Sequence, residues 1–444
     1  MTDLLIKNAL LVNEGATIET DVLIRGDRIE KIAADISATD TTDIIDAAGN
    51  YLIPGMIDDQ VHFREPGLTI KGDIATESAA AAAGGITSFM DMPNVNPLTV
   101  TREALAAKYA LATDRATANY AFYLGATNNN IDEIRALQTA EACGIKVFMG
   151  ASTGDMLVDS RDALEAIFAD ASKIILTHCE DSPTIWANEA KARAEFGDDV
   201  PMSEHPRIRS EESCFLSSSL AVDLATRHGS RLHVLHLTTA REMSLFAAGD
   251  RNNKNITAEV CVHHLWFDES RYADLGTRIK CNPAIKQASD REALIRAVNE
   301  GRIDIIATDH APHTWQEKQN SYFKAPAGLP LVQHALPSLF EQVHRGVFTV
   351  ETVVDRCSHA VADIFGVVDR GYVREGYFAD LVIVDPRQPH TVTRDKVLYK
   401  CGWSPYEGET FSASIDTTII NGRVVYRNGR LTGDIAGRRL EFSR

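Results

Sequence analysis

Residues 304–313, DIIATDHAPH, pass from a short apolar run, Ile305 to Ala307, to three chemically active side chains, Asp309, His310 and His313. An apolar run of that length followed at once by metal-binding and proton-carrying residue types reads as a buried strand whose carboxyl end opens into a site. The same passage recurs upstream. GMID near 55, GITSFMDM near 85, YAFYLGA near 120, IKVFMG near 145, KIILTHC near 173, LHVLHL near 232 and ITAEVCVHHL near 256 complete a set of eight runs. Between them lie segments of helical period: KGDIATESAAAAAG, TREALAAKYALATDRA, NIDEIRALQTAEACG and DREALIRAVNEG, the last with Asp290 placed as its N-cap. This alternation predicts an α/β chain in which residues 55–366 form a (β/α)8 TIM-type barrel. An open doubly wound sheet is the alternative, but no G-x-G-x-x-G follows the first strand.

The two ends of the chain differ from the middle. LLIKNALLV, DVLIRGDRIEKI and the approach to NYLIPG read as short strands, and so do YFADLVIVD and TTIINGRVVYRNGRL, the last around an Asn421-Gly422 hairpin signal. Residues 1–54 and 367–444 together predict a small β-sandwich domain assembled from both termini.

At 444 residues, with 44% hydrophobic and 24% charged residues, the chain is an ordinary globular protein and needs neither disulfides nor a structural metal to fold. Its 62 acidic against 45 basic residues give a formal charge of -17, which disfavours nucleic acid and anionic membrane surfaces as partners. A small anionic substrate remains compatible, because a few buried cations override the distant average. Seven cysteines without a C-x-x-C pair suit free thiols in a reducing compartment. The N-terminus shows no basic segment followed by an apolar run, and no stretch is long enough to span a bilayer, so a cytoplasmic location is expected.

Ligand-type residues collect at the carboxyl ends of the eight runs. Asp58 and His62 follow the first, Asn94 the second, His178 ends the fifth, His236 the sixth, His263 and His264 the seventh, and Asp309, His310 and His313 the eighth. In a barrel those ends converge on one mouth. Lys146, inside the fourth run, GIKVFMG, has only apolar neighbours and would be heavily desolvated. It either snorkels to the mouth or has a depressed pKa and takes up carbon dioxide as a carbamate, which with His178 and His236 makes an N and O donor set typical of catalytic zinc. Asp309 either caps the following helix or binds metal and takes a proton from bound water. The segment ASTGDML is a candidate mobile lid, with Ser152 and Thr153 as contacts, or an ordinary surface loop.

Taken together, GMIDDQVHFREPG, GGITSFMDMPNVNP, GIKVFMG, THCED, LHVLHLTTA, ITAEVCVHHL, KCNPAIK and ATDHAPHTWQEK resemble the amidohydrolase superfamily and, within it, the dihydroorotases, over nearly the whole chain. That resemblance implies one or two zinc ions, with Lys146 as a carboxylated bridging lysine, His178 and His236 as ligands of one metal, and His62 and Asp309 as ligands of the other. It implies substrate contacts from Arg64, Asn94, Asn282 and His313, and Asp309 as the catalytic proton carrier. The implied reaction is reversible interconversion of dihydroorotate and N-carbamoyl-L-aspartate in pyrimidine biosynthesis, by a homodimer. Arg64 bears most on the substrate: its guanidinium suits bidentate capture of a carboxylate, whereas a surface ion pair with Glu65 is the bland reading. Allantoinases and dihydropyrimidinases resemble the same motifs.

The chain departs from the family at one ligand. Members usually read D-x-H-x-H after the first strand, and here the sequence is Asp58-Asp59-Gln60-Val61-His62. A carboxamide binds zinc weakly beside imidazole. Three outcomes follow: an enzyme with one firmly held metal, a two-metal enzyme in which Gln60 or water fills the gap, or a non-catalytic subunit associated with aspartate transcarbamoylase. Retained activity is expected, because every other chemical position is present.

Overall fold

Eight parallel strands close on themselves in the computed structural model, which describes residues 3–40, 42–150 and 156–444. They are β1 (Met56–Val61), β2 (Ile86–Asp91), β3 (Asn119–Phe122, resuming at Leu124–Gly125), β4 (Ile145–Phe148), β5 (Ile175–His178), β6 (Leu232–Val234), β7 (Ile256–Cys261) and β8 (Ile305–Ala307). Each pairs in parallel with the next. The ring closes where the His62 N–H donates to the His310 carbonyl at 2.7 Å, beside a parallel bridge from Val61 to His310. All eight apolar runs are strands. β1, β2, β4 and β5 are buried at every position, as expected when side chains fill one face and helices cover the other.

Local sequence sets the helices that cover this barrel. Helix Ile74–Ala83 starts at a reciprocal cap, Asp73 accepting the Thr76 N–H at 2.9 Å and Thr76 Oγ1 accepting the Asp73 N–H at 3.3 Å. It ends at Gly84, where a Cβ would stand 2.3 Å from the Val332 carbonyl oxygen, so only glycine allows this approach. Two expectations shift. The helix expected across NIDEIRALQTAEACG covers only Ile131–Ala136. Helix Ala288–Asn299 is capped at Gln287, not Asp290. Asp290 lies in the first turn, and its carboxylate accepts the backbone N–H groups of Gln287 at 3.3 Å and Ala240 at 2.8 Å. It serves the helix start from inside, a place the dipole also favours.

The β-rich ends do join. Strands Asp3–Asn13, Ala16–Arg25 and Arg28–Ala33 run antiparallel, Tyr51–Pro54 lies parallel to the first of them, and Leu381–Asp385 pairs antiparallel with Tyr51–Pro54 before the sheet continues through Ser414–Ile420 and Arg423–Arg427. Pairing links them in one mixed nine-stranded sheet, and Leu4, Ile24, Leu52, Leu381 and Ile419 from both ends share a core. Asn421 (φ 50°) and Gly422 (φ 74°) form the expected hairpin turn.

A buried polar knot ties this sheet to the barrel. Asp380 accepts from Arg370, from Asn119 Nδ2 at 3.0 Å and from the Asn421 N–H at 2.8 Å, while Asn421 Nδ2 donates to Asn119 Oδ1 at 2.7 Å. Both members of the ion pair are almost wholly shielded from water. Asp380→Ala strands a buried guanidinium, and such losses cost about 3–5 kcal/mol. The expected result is an unfolding midpoint in urea well below that of the parent chain.

Candidate active site

Barrel geometry gathers the residues that the resemblance implies as metal ligands and substrate contacts. His62 lies just past β1, Lys146 in β4, His178 at the end of β5, His236 two residues past β6 and Asp309 two residues past β8. Together with Gln60, Arg64, Asn94, Asn282 and His313 they line one cavity of about 490 Å³. Asp58 sits behind them and ties β1 to the end of β8, accepting from Thr308 Oγ1 at 2.6 Å. Arg64 (φ 70°), His236 (φ 37°) and Asp309 (φ 50°) all adopt the left-handed region that disfavours residues with a Cβ. Such strain persists where surrounding structure fixes it, and here it aims three side chains into the cavity. A larger groove of about 610 Å³, between Pro201 and Asp290, holds none of these side chains.

One flank is made by Lys146, His178 and His236. Lys146 is 1% exposed, with its ammonium 4.6 Å from the Phe148 ring centre and no hydrogen-bond partner among the described residues. Burial pushes it down to about 8 despite the carboxylates of Asp309 and Glu259. His178 Nε2 lies 2.9 Å from Glu180 Oε2, which also accepts from Arg209 at 2.6 Å. A carboxylate only accepts, so the hydrogen sits on Nε2 and Nδ1 keeps its lone pair. That Nδ1 faces His236 Nε2 at 2.9 Å, and His236 Nδ1 is buried with no partner. Burial holds both imidazoles below their usual range, His236 well below, so both are neutral donors. Two neutral imidazoles, an orphaned ring nitrogen and an unpaired lysine fit a divalent cation, with Glu180 and Arg209 orienting His178 from behind.

The other flank is different in chemistry. His62 Nδ1 donates to Asn94 Oδ1 at 2.8 Å, and its Nε2 lies 3.1 Å from Asp309 Oδ1. Gln60 Nε2 donates to the same Asp309 oxygen at 3.2 Å, while its Oε1 accepts from Cys261 Sγ at 3.8 Å. Gln60 therefore spends its amide hydrogen on Asp309, where an imidazole would have offered a lone pair. This flank fits a cation poorly by itself.

Across the mouth stands Arg64, 6% exposed. Its Nε donates to the Pro312 carbonyl at 3.0 Å, and Nη2 lies 3.1 Å from His313 Nε2. Lys71 Nζ donates to His313 Nδ1 at 3.1 Å, so His313 Nε2 carries the hydrogen that goes to the Ala327 carbonyl at 3.0 Å. Burial pushes His313 down to about 3, so it is neutral. Glu65 pairs with Arg115 at 2.9 Å instead of with Arg64, which has no carboxylate partner among the described residues. Burial lowers Arg64 to about 10, leaving it charged at neutral pH. Asn282 adds a buried, unpartnered Oδ1.

Not every residue near a strand end reaches the cavity. His263 and His264 lie in the short helix Val262–Trp266, buried and outside the cavity lining; His264 Nε2 donates to the Pro283 carbonyl at 3.2 Å. His310 turns away to Glu77 at 2.8 Å. Ser152 and Thr153 lie outside the described residues. Glu180, Arg209 and Lys71 were not anticipated, although Glu180 in THCED could have been flagged as a carboxylate two residues after His178.

Comparison with known proteins agrees with this geometry. The pattern of the amidohydrolase family matches residues 51–425. A dihydroorotase of Halobacterium salinarum is 34% identical over 412 residues, covering 91% of this chain and 93% of its own. An allantoinase of Bacillus velezensis is 31% identical over 433 residues, covering 96% and 94%. The solved L-hydantoinase (dihydropyrimidinase) of Arthrobacter aurescens superposes with a TM-score of 0.94 at 26% identity, covering 99% of this chain and all of its own. With its eight-stranded barrel, its termini-built sheet and a family match across most of its length, the chain belongs to the amidohydrolase family.

Proposed function

We propose that this cyclic-amide hydrolase is a dihydroorotase, interconverting dihydroorotate and N-carbamoyl-L-aspartate. The observation that carries the reading is Arg64: a buried guanidinium without a carboxylate partner among the described residues, across the mouth from Lys146, His178, His236 and Asp309. An unpaired buried cation calls for an anionic ligand, and a fork of N–H donors matches a carboxylate. The dihydroorotase relatives support the same substrate.

The residues then take these roles. Arg64 holds the substrate carboxylate, and Asn282 and His313 face the ring. Lys146, as the carbamate formed when its neutral amine adds carbon dioxide and sheds a proton, would hold a divalent cation with His178 and His236. His62 and Asp309 would complete the opposite side of the centre. When bound, that cation, zinc by its donor set, supplies a Lewis acid that polarises the ring amide and acidifies water. Asp309, steadied by Gln60 and His62, accepts a proton from the attacking water as the new C–O bond forms. It returns that proton to the ring nitrogen as the C–N bond breaks. Run backwards, the same transfers close the ring.

A cyclic amide without a carboxylate is the second reading, favoured by the likeness to L-hydantoinase and to allantoinases. Arg64→Gln separates the two. Charge-assisted hydrogen bonds contribute about 1.5–3 kcal/mol each, so kcat/KM for dihydroorotate is expected to fall by at least ~100-fold while any turnover of hydantoin changes little. Equal losses on both substrates, or none, contradict the assignment. Asp309→Asn is expected to lower dihydroorotate turnover by about 10²–10⁴-fold, the usual worth of a positioned proton carrier, and near-normal kcat removes Asp309 from that role. Elemental mass spectrometry of zinc-loaded protein tests the altered flank: Gln60→His is expected to bind about one zinc per chain more than the parent.

A further inference from the structure

Deeper in the barrel lie Asp59 in β1, His233 in β6 and Glu259 in β7. All three are 0% exposed and none lines the cavity. Among the described residues, both Asp59 carboxylate oxygens, His233 Nε2 and Glu259 Oε2 lack any hydrogen-bond partner. Four orphaned polar atoms meeting in one dry place is an expensive arrangement unless something occupies it.

The rest of each side chain is already committed, in a way that leaves those atoms free. Thr257 Oγ1 donates to the Leu232 carbonyl at 3.3 Å and so receives the hydrogen of His233 Nδ1 at 2.8 Å, which fixes the ring with Nε2 pointing at the carboxylates. Ligand histidines are usually oriented through their other nitrogen in this way. Glu259 Oε1 accepts the backbone N–H of His236 at 3.0 Å and the Cys261 thiol at 3.5 Å, leaving Oε2 uncommitted. His233 Nε2 stands 3.5 Å from Asp59 Oδ2 and 3.6 Å from Glu259 Oε2. Those separations are too long for good hydrogen bonds. They are close to the edge of a tetrahedral shell, about 3.4 Å between donors when each bond is about 2.1 Å.

We propose that Asp59, His233 and Glu259 form a structural binding site for a divalent transition cation, separate from the active-site cavity above it. One imidazole and two carboxylates suit zinc or manganese, whereas calcium and magnesium want six or more oxygens. The cation neutralises two buried carboxylates, fastens β1, β6 and β7 across the barrel, and through Glu259 fixes the left-handed backbone of His236. The competing state has no metal and shares protons: burial would lower His233, yet Asp59 and Glu259 lift it to about 9, and burial with the Asp59 charge lifts Glu259 to about 7.

The test uses full-length protein stripped with a chelator, reloaded with zinc chloride, crystallised and measured by anomalous diffraction at the zinc edge. The expected map has a peak about 2.0–2.2 Å from His233 Nε2 and from one oxygen each of Asp59 and Glu259, distinct from any peak at Lys146, His178 and His236. In parallel, Asp59→Asn is expected to bind about one zinc fewer per chain by elemental mass spectrometry. No peak among the three groups at saturating zinc overturns the proposal, and so does an Asp59→Asn chain with unchanged zinc content. Nitrogen NMR of the zinc-loaded protein showing both His233 ring nitrogens protonated overturns it as well. The parent map needs no variant, so poor folding of Asp59→Asn does not shelter the proposal. Peaks in the cavity and in the core are scored separately, so a failure of the dihydroorotase reading is told apart from a failure of this one.

Discussion

Desolvation of Lys146 is the constraint around which the rest of the site is arranged. Its ammonium occupies a strand with side chains packed on every side, among described residues that offer it no acceptor. A charge left so would cost several kcal/mol, and a protein relieves that cost by pairing the group, neutralising it or converting it. The neighbours exclude pairing: His178 and His236 are themselves held neutral by burial, and Asp309 is engaged by Gln60 and His62. In the proposed function, conversion to an anion that meets a cation would resolve all of these demands together.

The barrel explains why such residues meet at all. Strand backbones satisfy one another along their length, so polar side chains can be concentrated where the strands end. Arg64, His236 and Asp309 go further and leave regular geometry, each taking a left-handed turn at the mouth. Closely packed surroundings can hold those turns. The two flanks of the cavity then differ by one residue: an imidazole at position 60 would present a lone pair, and the amide there presents a hydrogen to Asp309 instead.

Much of this was legible in the sequence because the signals were local. Short apolar runs marked all eight strands, six of them with a His or Asp at or near the carboxyl end, and a single lysine among apolar residues marked its own burial. Asn421-Gly422 marked its turn because few residues tolerate two positive φ angles in succession. What was hidden depended on distant partners. Arg209 comes from an irregular stretch between helices, with no periodicity to say that it backs Glu180. Asp290 looked like a helix cap, but the chain begins the helix earlier and uses it one turn inside. His263 and His264 followed a strand as ligands would, yet the short helix there keeps them out of the cavity lining. Asp59 and Glu259 were masked by more conspicuous neighbours, and only the assembled barrel shows that they face one another.

The indole of Trp403 donates to the His313 carbonyl at 2.7 Å, so a segment far along the chain, beyond the barrel, braces the loop that carries His313. Lys318 reinforces that loop from within, donating to the carbonyls of Lys280, Pro326 and Gly328 at 3.0–3.1 Å. The mouth is therefore not a free-standing feature of eight strands onto which any tail can be spliced. Recombination that swapped the carboxyl-terminal portion for a foreign one would disturb the pocket's far wall even with every barrel residue untouched, which restricts how modularly such a chain can evolve.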